Sequence, residues 1–221
     1  VSSLSTSTFD PSDKQRQLLV AAARIVAEEG VRALSIRRLA AVVGTSTMAV
    51  YTWYGSKPNL MRAVYREAFS RFNDALLAAL GDDDPLVELV RLGRAYRAYA
   101  LAEPNFYEVM FGHSAAFFDP EPEDAELALG TFDILVASVG RAVADGLLGG
   151  NPQQAAWQIW AAVHGAVSLE LAACRDGTAP GDDPEEDYAR LGRTVLIGLG
   201  APSARVDAAM AAVAADGRPH S

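Results

Sequence analysis

Apolar residues recur along most of the chain at the three- and four-residue intervals of amphipathic helices, with little strand-like alternation. In the first run Leu19, Ala22, Ala23 and Val26 share a face; Ser12 with Gln15 fits a capping box at its start, and Gly30 stops it. A second run follows Ser35 as N-cap, with Ile36, Leu39, Ala40 and Val43 on one side. It ends at Gly44, where a residue without a Cβ lets the chain turn sharply at positive φ. Ser46 or Thr45 can cap a short third helix, and Ser56 a fourth, with Pro58 near its start where proline is tolerated. The fourth spans about 57–80 and aligns Leu60, Val64, Ala68, Phe72 and Leu76.

The same pattern predicts helices over about 85–102, 105–111, 123–148, 152–174, 185–200 and 203–215. Pro104, Gly112-His113 and Gly149-Gly150-Asn151-Pro152 punctuate them, and a loop at 113–122 carries Phe117 and Phe118. Asp82-Asp83-Asp84-Pro85 reads as a capped helix start; no second acidic cluster has the spacing for a metal site. The fold expected is all-α, with about nine or ten helices. The expected division is a polar, disordered arm over residues 1–11, a head over 12–58, a helical body over 59–216 and a tail over 217–221.

Two short helices about a glycine turn are the helix-turn-helix pattern, in which the start of the second helix meets base edges in the major groove. Ser35-x-Arg37-x-Leu39-Ala40, Gly44-x-Ser46 and Val50-Tyr51-x-x-Tyr54-x-Ser56-Lys57-x-x-Leu60 stand here at fixed spacing. Over about residues 14–70 the chain resembles the tetracycline-repressor-type (TetR) family of transcriptional regulators. It departs at Arg38, where that family often has an acid that would complete a capping box with Ser35. It departs again at Met48, usually a small or polar residue. The string Trp160-Ala-Ala-Val-His164-Gly165 resembles the Trp-His-Gly signature of one C-terminal subclass of the family.

The resemblance implies a helix-turn-helix DNA-binding domain over 12–58, a helical ligand-binding and dimerisation domain over 59–216, and DNA contacts from Ser35, Arg37, Thr45, Ser46, Thr47, Met48, Tyr51, Tyr54 and Lys57. Thr47 carries a hydroxyl for a base or phosphate, and Met48 can pack on a thymine methyl. Tyr51 and Tyr54 reach for the backbone, and Lys57 sits at a helix N-terminus that also attracts phosphate. Lys14 and Arg16 near the first helix start are further phosphate candidates. A ligand pocket among helices four to eight is expected from their larger residues: Tyr96, Tyr99, Phe106, Met110, Phe132, Trp157, Trp160 and His164. Core packing accounts for each of these equally well. Trp160 and His164, four apart, stack on one helical face.

Charge sharpens this picture. The net charge of −9 argues against nucleic acid until it is divided along the chain. Residues 1–72 hold ten Lys or Arg against five Asp or Glu, whereas residues 73–221 hold nine against 23. A basic head on an acidic body fits a DNA contact at one end. The single Cys174 excludes an internal disulfide and a cysteine-based zinc site, and its apolar neighbours predict a buried, inert thiol. The start shows no charged n-region followed by an apolar core, and no apolar run of about 18 residues is uninterrupted, so the expectation is a cytoplasmic protein without signal peptide or membrane partner.

Enzyme patterns fail one by one. The chain has no glycine-rich phosphate loop and no nucleophile elbow. His113, His164 and His220 make no His-x-x-x-His pair, and His164 and Cys174 lie about 15 Å apart along one helix. The expectation is a non-enzyme without cofactor or metal. The partners that the resemblance implies are double-stranded operator DNA, a second copy of itself through the last long helices, and a small apolar or aromatic effector. The alternatives are a DNA-binding regulator without an effector and a helical protein-interaction module.

Overall fold

A computed structural model of the chain describes residues 11–81, 84–112, 121–178 and 181–216. Among them lie ten α-helices and no strand. They are α1 (Pro11–Glu29), α2 (Ile36–Val43), α3 (Thr47–Tyr54), α4 (Lys57–Ala78), α5 (Pro85–Ala102), α6 (Pro104–Phe111), α7 (Pro122–Ala144), α8 (Pro152–Asp176), α9 (Pro184–Gly198) and α10 (Ser203–Ala215), with a single 3-10 turn at Val31–Ala33. The all-helical expectation holds. The Ser12 side chain, residues 1–10, Asp82, Asp83, His113, Phe117, Phe118 and the segment 217–221 with His220 lie outside the described residues.

The chain forms two compact units. One comprises residues up to Ala68 together with Asn105–Asp124. In it α1 buries Leu18, Leu19, Ala22, Ala23 and Val26 and packs on α2, whose Leu39, Ala40 and Val43 are buried in turn. Val50 of α3 and Leu60 and Val64 of α4 complete this small core. The buried Asp124 carboxylate receives a hydrogen bond from Arg62 Nε at 3.2 Å and another from Arg66 Nε. Burial pushes the Asp124 carboxyl up, but the Arg66 hydrogen bond and the two guanidinium charges outweigh it and hold it below the usual value.

The other unit comprises Phe69–Pro104 and the chain from Ala125 onward. Its core gathers Leu86 and Leu89 of α5, Val139 and Ala142 of α7, Ala155 and Ala156 of α8, Leu196 of α9, and Val206 and Ala209 of α10. Glu88 is buried beside this core, where an unpaired carboxylate would cost several kcal/mol or more. Ser138 donates to it at 2.5 Å and Arg141 pairs with it. Asp84 caps α5 by accepting from the Leu86 amide at 2.9 Å.

Two expectations are corrected. α7 ends at Ala144, not near 148, because Gly146 turns left-handed (φ +68°) and Leu147 and Leu148 donate back to the Ala142 carbonyl at 2.9 and 3.1 Å. This returns Leu148 to the core. Cys174 is exposed, not buried: Val167, Glu170 and Ala173 take the inner face at three-residue spacing, and position 174 lies about 100° away. α7 is also long and apolar enough, by length and composition, to cross a bilayer; its most apolar window has mean hydropathy 1.6 and is only 22% buried.

Candidate nucleic-acid interface

The turn between α2 and α3 is fixed by backbone chemistry. Gly44 takes φ +68°, ψ +46°, and its amide and that of Thr45 return to the carbonyls of Ala41 (3.3 Å) and Ala40 (2.9 Å). Of the two possible caps for α3, Ser46 is used: its hydroxyl accepts from the Ala49 amide at 3.0 Å. Val50 anchors the inner face of α3, so Thr47, Met48 and Tyr51, three and four residues apart, share the outer one. Met48 is 73% exposed and Tyr51 51%, against a residue type usually buried. Thr52 is exposed too, but its hydroxyl is turned onto the Met48 carbonyl at 2.9 Å.

The remaining predicted contact residues divide into free and engaged. Arg37 is exposed and makes no ion pair among the described residues. Ser35 caps α2, accepting from the Arg38 amide at 3.2 Å. Arg38 clasps Glu29 with both terminal guanidinium nitrogens, at 2.7 and 2.6 Å, and this hydrogen bonding holds the Glu29 carboxyl below its usual value. Thr45 is half-buried. The Tyr54 hydroxyl donates to the Gln15 carbonyl at 3.4 Å, and burial raises its pKa, keeping it a protonated donor. Lys57 Nζ donates to the Val31 carbonyl at 2.9 Å, though an ammonium retains two further donors. Lys14 Nζ donates to Val43 at 2.9 Å, and Arg16 pairs with Asp13. These long-range ties leave Thr47, Met48, Tyr51 and Arg37 as the outward set.

The predicted pocket residues fall in both units. Phe106 and Met110 are buried in the first. In the second, a ladder of rings runs across four helices: Phe132 to Trp160 (6.1 Å between centroids), Trp160 to Trp157 (5.1 Å) and Trp160 stacked on His164 (5.3 Å). His164 Nδ1 then meets the Tyr96 hydroxyl at 2.9 Å, and Phe72 of α4 lies against Tyr96 (5.2 Å) and Tyr99 (5.1 Å). Trp157 and Phe132 also wall a shallow surface depression with Gln153, Gln154 and Gln158.

A helix pair turned by a left-handed glycine, with a capped second helix presenting an outward row at its start, is the arrangement of a helix-turn-helix DNA-binding protein. Residues 18–64 match the family described as bacterial regulatory proteins, tetR family, and residues 89–195 match the tetracyclin repressor-like C-terminal domain. The chain belongs to the TetR family of transcriptional regulators. It is 32% identical over 81 residues to the HTH-type transcriptional repressor AcnR of Corynebacterium glutamicum, covering 37% of this chain and 40% of that one. An HTH-type transcriptional regulator of Mycobacterium tuberculosis is 29% identical over 75% of this chain and 74% of its own. The crystal structure of the TetR family regulator PfmR from Thermus thermophilus superposes with a TM-score of 0.69 over 83% of this chain and 98% of that one; at 23% identity it speaks for the fold alone.

Proposed function

We propose that the protein is a repressor that binds near-palindromic operator DNA as a homodimer and is released by a small apolar or aromatic effector. The observation that carries this is the outward row Thr47, Met48 and Tyr51 on a helix held by the Gly44 turn and the Ser46 cap. The repressor designation of the Corynebacterium glutamicum relative supports the sign of regulation. In this reading residues 12–58 contact DNA, residues 59–216 dimerise and take the effector, and the protein works in the cytoplasm without cofactor or membrane.

Dimerisation follows from what the second unit leaves uncovered. Along α8, Trp157, Ala161, Gly165 and Leu169 are spaced by four and form one ridge; Trp157 is 58% exposed and Leu169 70%. A Cβ added at Gly165 would meet nothing within 4 Å. Together with exposed Leu129 on the apolar α7, this surface suits a second copy. Two recognition helices must then lie about 34–36 Å apart to enter successive major grooves.

The effector acts through the aromatic ladder. α4 is one continuous helix from Lys57 to Ala78, so a molecule that displaced Tyr96 or His164 would move Phe72 on the same rod that begins at Lys57. Such a ligand releases DNA only to the extent that it prefers the displaced state. The test is fluorescence anisotropy on duplexes tiling the DNA around the protein's own gene at several salt concentrations. Tight binding to one near-palindromic fragment, weakening steeply with salt, is expected; absence of binding at low salt would overturn the proposal.

A further inference from the structure

A partly open hollow of about 160 Å³ lies between α5, α8, α9 and α10, and none of the eight predicted pocket residues lines it. Its size is close to that of a cavity that accepts a single benzene ring, about 150 Å³. Two mid-helix positions on its wall lack side chains. Gly93 of α5 and Gly192 of α9 both face it, and a Cβ at Gly192 would meet no atom within 4 Å. Glycine inside a helix is disfavoured relative to alanine, so the hollow is maintained against helix propensity.

Its two ends differ. Tyr188 donates to the Gly93 carbonyl at 2.7 Å and carries Arg97 over its ring at 5.7 Å, which sets the start of α9 beside the later turns of α5. Leu196 of α9 shares a buried cluster with Leu89 of α5 and packs near Met210 of α10. The hollow therefore grades from an apolar end at Leu89, Leu196 and Met210 to a polar end at Arg94, Arg97 and Tyr188, about 10 Å farther along α5 at 1.5 Å per residue.

The cations lining the hollow are not equivalent. Arg97 is spent on Glu170, with contacts of 2.8 and 2.6 Å, and Arg193 on Asp207 at 2.6 and 3.2 Å. Arg94 gives one nitrogen to the neutral Val213 carbonyl at 3.1 Å and has no carboxylate partner among the described residues. The acid lining the hollow, Glu185, is exposed in the first turn of α9. A half-buried guanidinium with spare donors beside an apolar hollow is complementary to a carboxylate on a small ring.

We propose that this hollow is a second ligand site, distinct from the aromatic ladder, for a small aryl or branched aliphatic monocarboxylate held by Arg94. The test titrates phenylacetate, phenylacetamide and acetate into the full-length protein without DNA, by calorimetry and thermal shift. This keeps its outcome separate from that of the operator reading. Phenylacetate should bind and raise the melting temperature, while acetate should not. Gly192→Leu fills the hollow and should abolish phenylacetate binding without lowering the ligand-free melting temperature. Arg94→Gln retains an N–H for Val213 and should weaken phenylacetate about ten- to hundredfold while leaving phenylacetamide unchanged. The proposal is overturned by no saturable phenylacetate binding to the wild type, by equal binding to Gly192→Leu, or by equal losses for acid and amide in Arg94→Gln.

Discussion

The Tyr96 hydroxyl lies 2.9 Å from Nδ1 of His164, whose ring stacks on Trp160 one helical turn earlier. Burial holds the His164 pKa below its ordinary 6.5, so at neutral pH the ring is uncharged and Nδ1 can accept a hydrogen bond from the phenol hydroxyl. Above pH 6.5 the imidazole is neutral in folded and unfolded chains alike, and its contribution to stability is fully present. As the pH falls through 6.5 the unfolded chain takes up a proton that the folded one resists, so stability declines. Urea midpoints at pH 7.5 and 5.5 should therefore drop further for the wild type than for His164→Gln. Parallel drops would show that this ring does not resist protonation.

A second prediction concerns Arg97 and Glu170, joined by two hydrogen bonds across α5 and α8. Arg97→Ala leaves the Glu170 carboxylate buried without its cation, which should cost about 3–5 kcal/mol in urea unfolding. Arg97→Met combined with Glu170→Leu removes both charges and should recover most of that loss. A double variant as weak as the single one would mean that packing, not charge, sets the cost.

These pairs mark where the sequence stops being legible. α5 could be bounded by eye because Asp84-Pro85 starts it and Pro104 follows its end, and the α2–α3 turn because Gly44 and Ser46 stand at fixed spacing. Such signals are local. Lys57 with Val31 and Tyr54 with Gln15 meet across 26 and 39 residues, and no spacing rule names a partner that far away. Selecting pocket residues by size also ignored which helix faces converge, and so joined Phe106 and Met110 to rings that belong to the other unit. The hollow beside α9 was invisible for a plainer reason: two of its wall positions, Gly93 and Gly192, carry no side chain for a pattern to register.

Two glycines, Gly44 and Gly192, should respond to alanine in opposite directions. Gly44 sits at φ +68°, where a Cβ costs about 1–2 kcal/mol, so Gly44→Ala should lower stability and loosen the start of α3. Gly192 is helical with open space at its Cβ, and Gly192→Ala should raise stability by about 0.4–1 kcal/mol. Denaturant midpoints for the two variants decide the matter; a destabilised Gly192→Ala would contradict the open space there.

At the DNA, Thr47 and Lys57 should separate base reading from backbone holding. Thr47→Ala removes an exposed hydroxyl from the outward row and should change preference among operator variants. Lys57→Ala should weaken all sequences by one factor and reduce the steepness of the log–log salt dependence by about 0.9, the loss of one phosphate contact. If the salt slope is unchanged, Lys57 serves only to tie α4 to the Val31 carbonyl.

The assembly itself turns on Leu169, which is 70% exposed at the end of the α8 ridge. A large aliphatic side chain left in water on the same α8 ridge as the exposed Trp157 is a cost that a partner would relieve. Leu169→Asp introduces two charges into a symmetric contact, one from each copy, where neither finds a counter-charge. Sedimentation should show the wild type as a dimer and the variant shifted to monomer, with circular dichroism unchanged because the position is on the surface. Operator affinity should fall with it, since a monomer reaches one half-site and loses the linked second contact. A variant that stays dimeric would move the interface away from this ridge and leave the exposure of Leu169 to another partner.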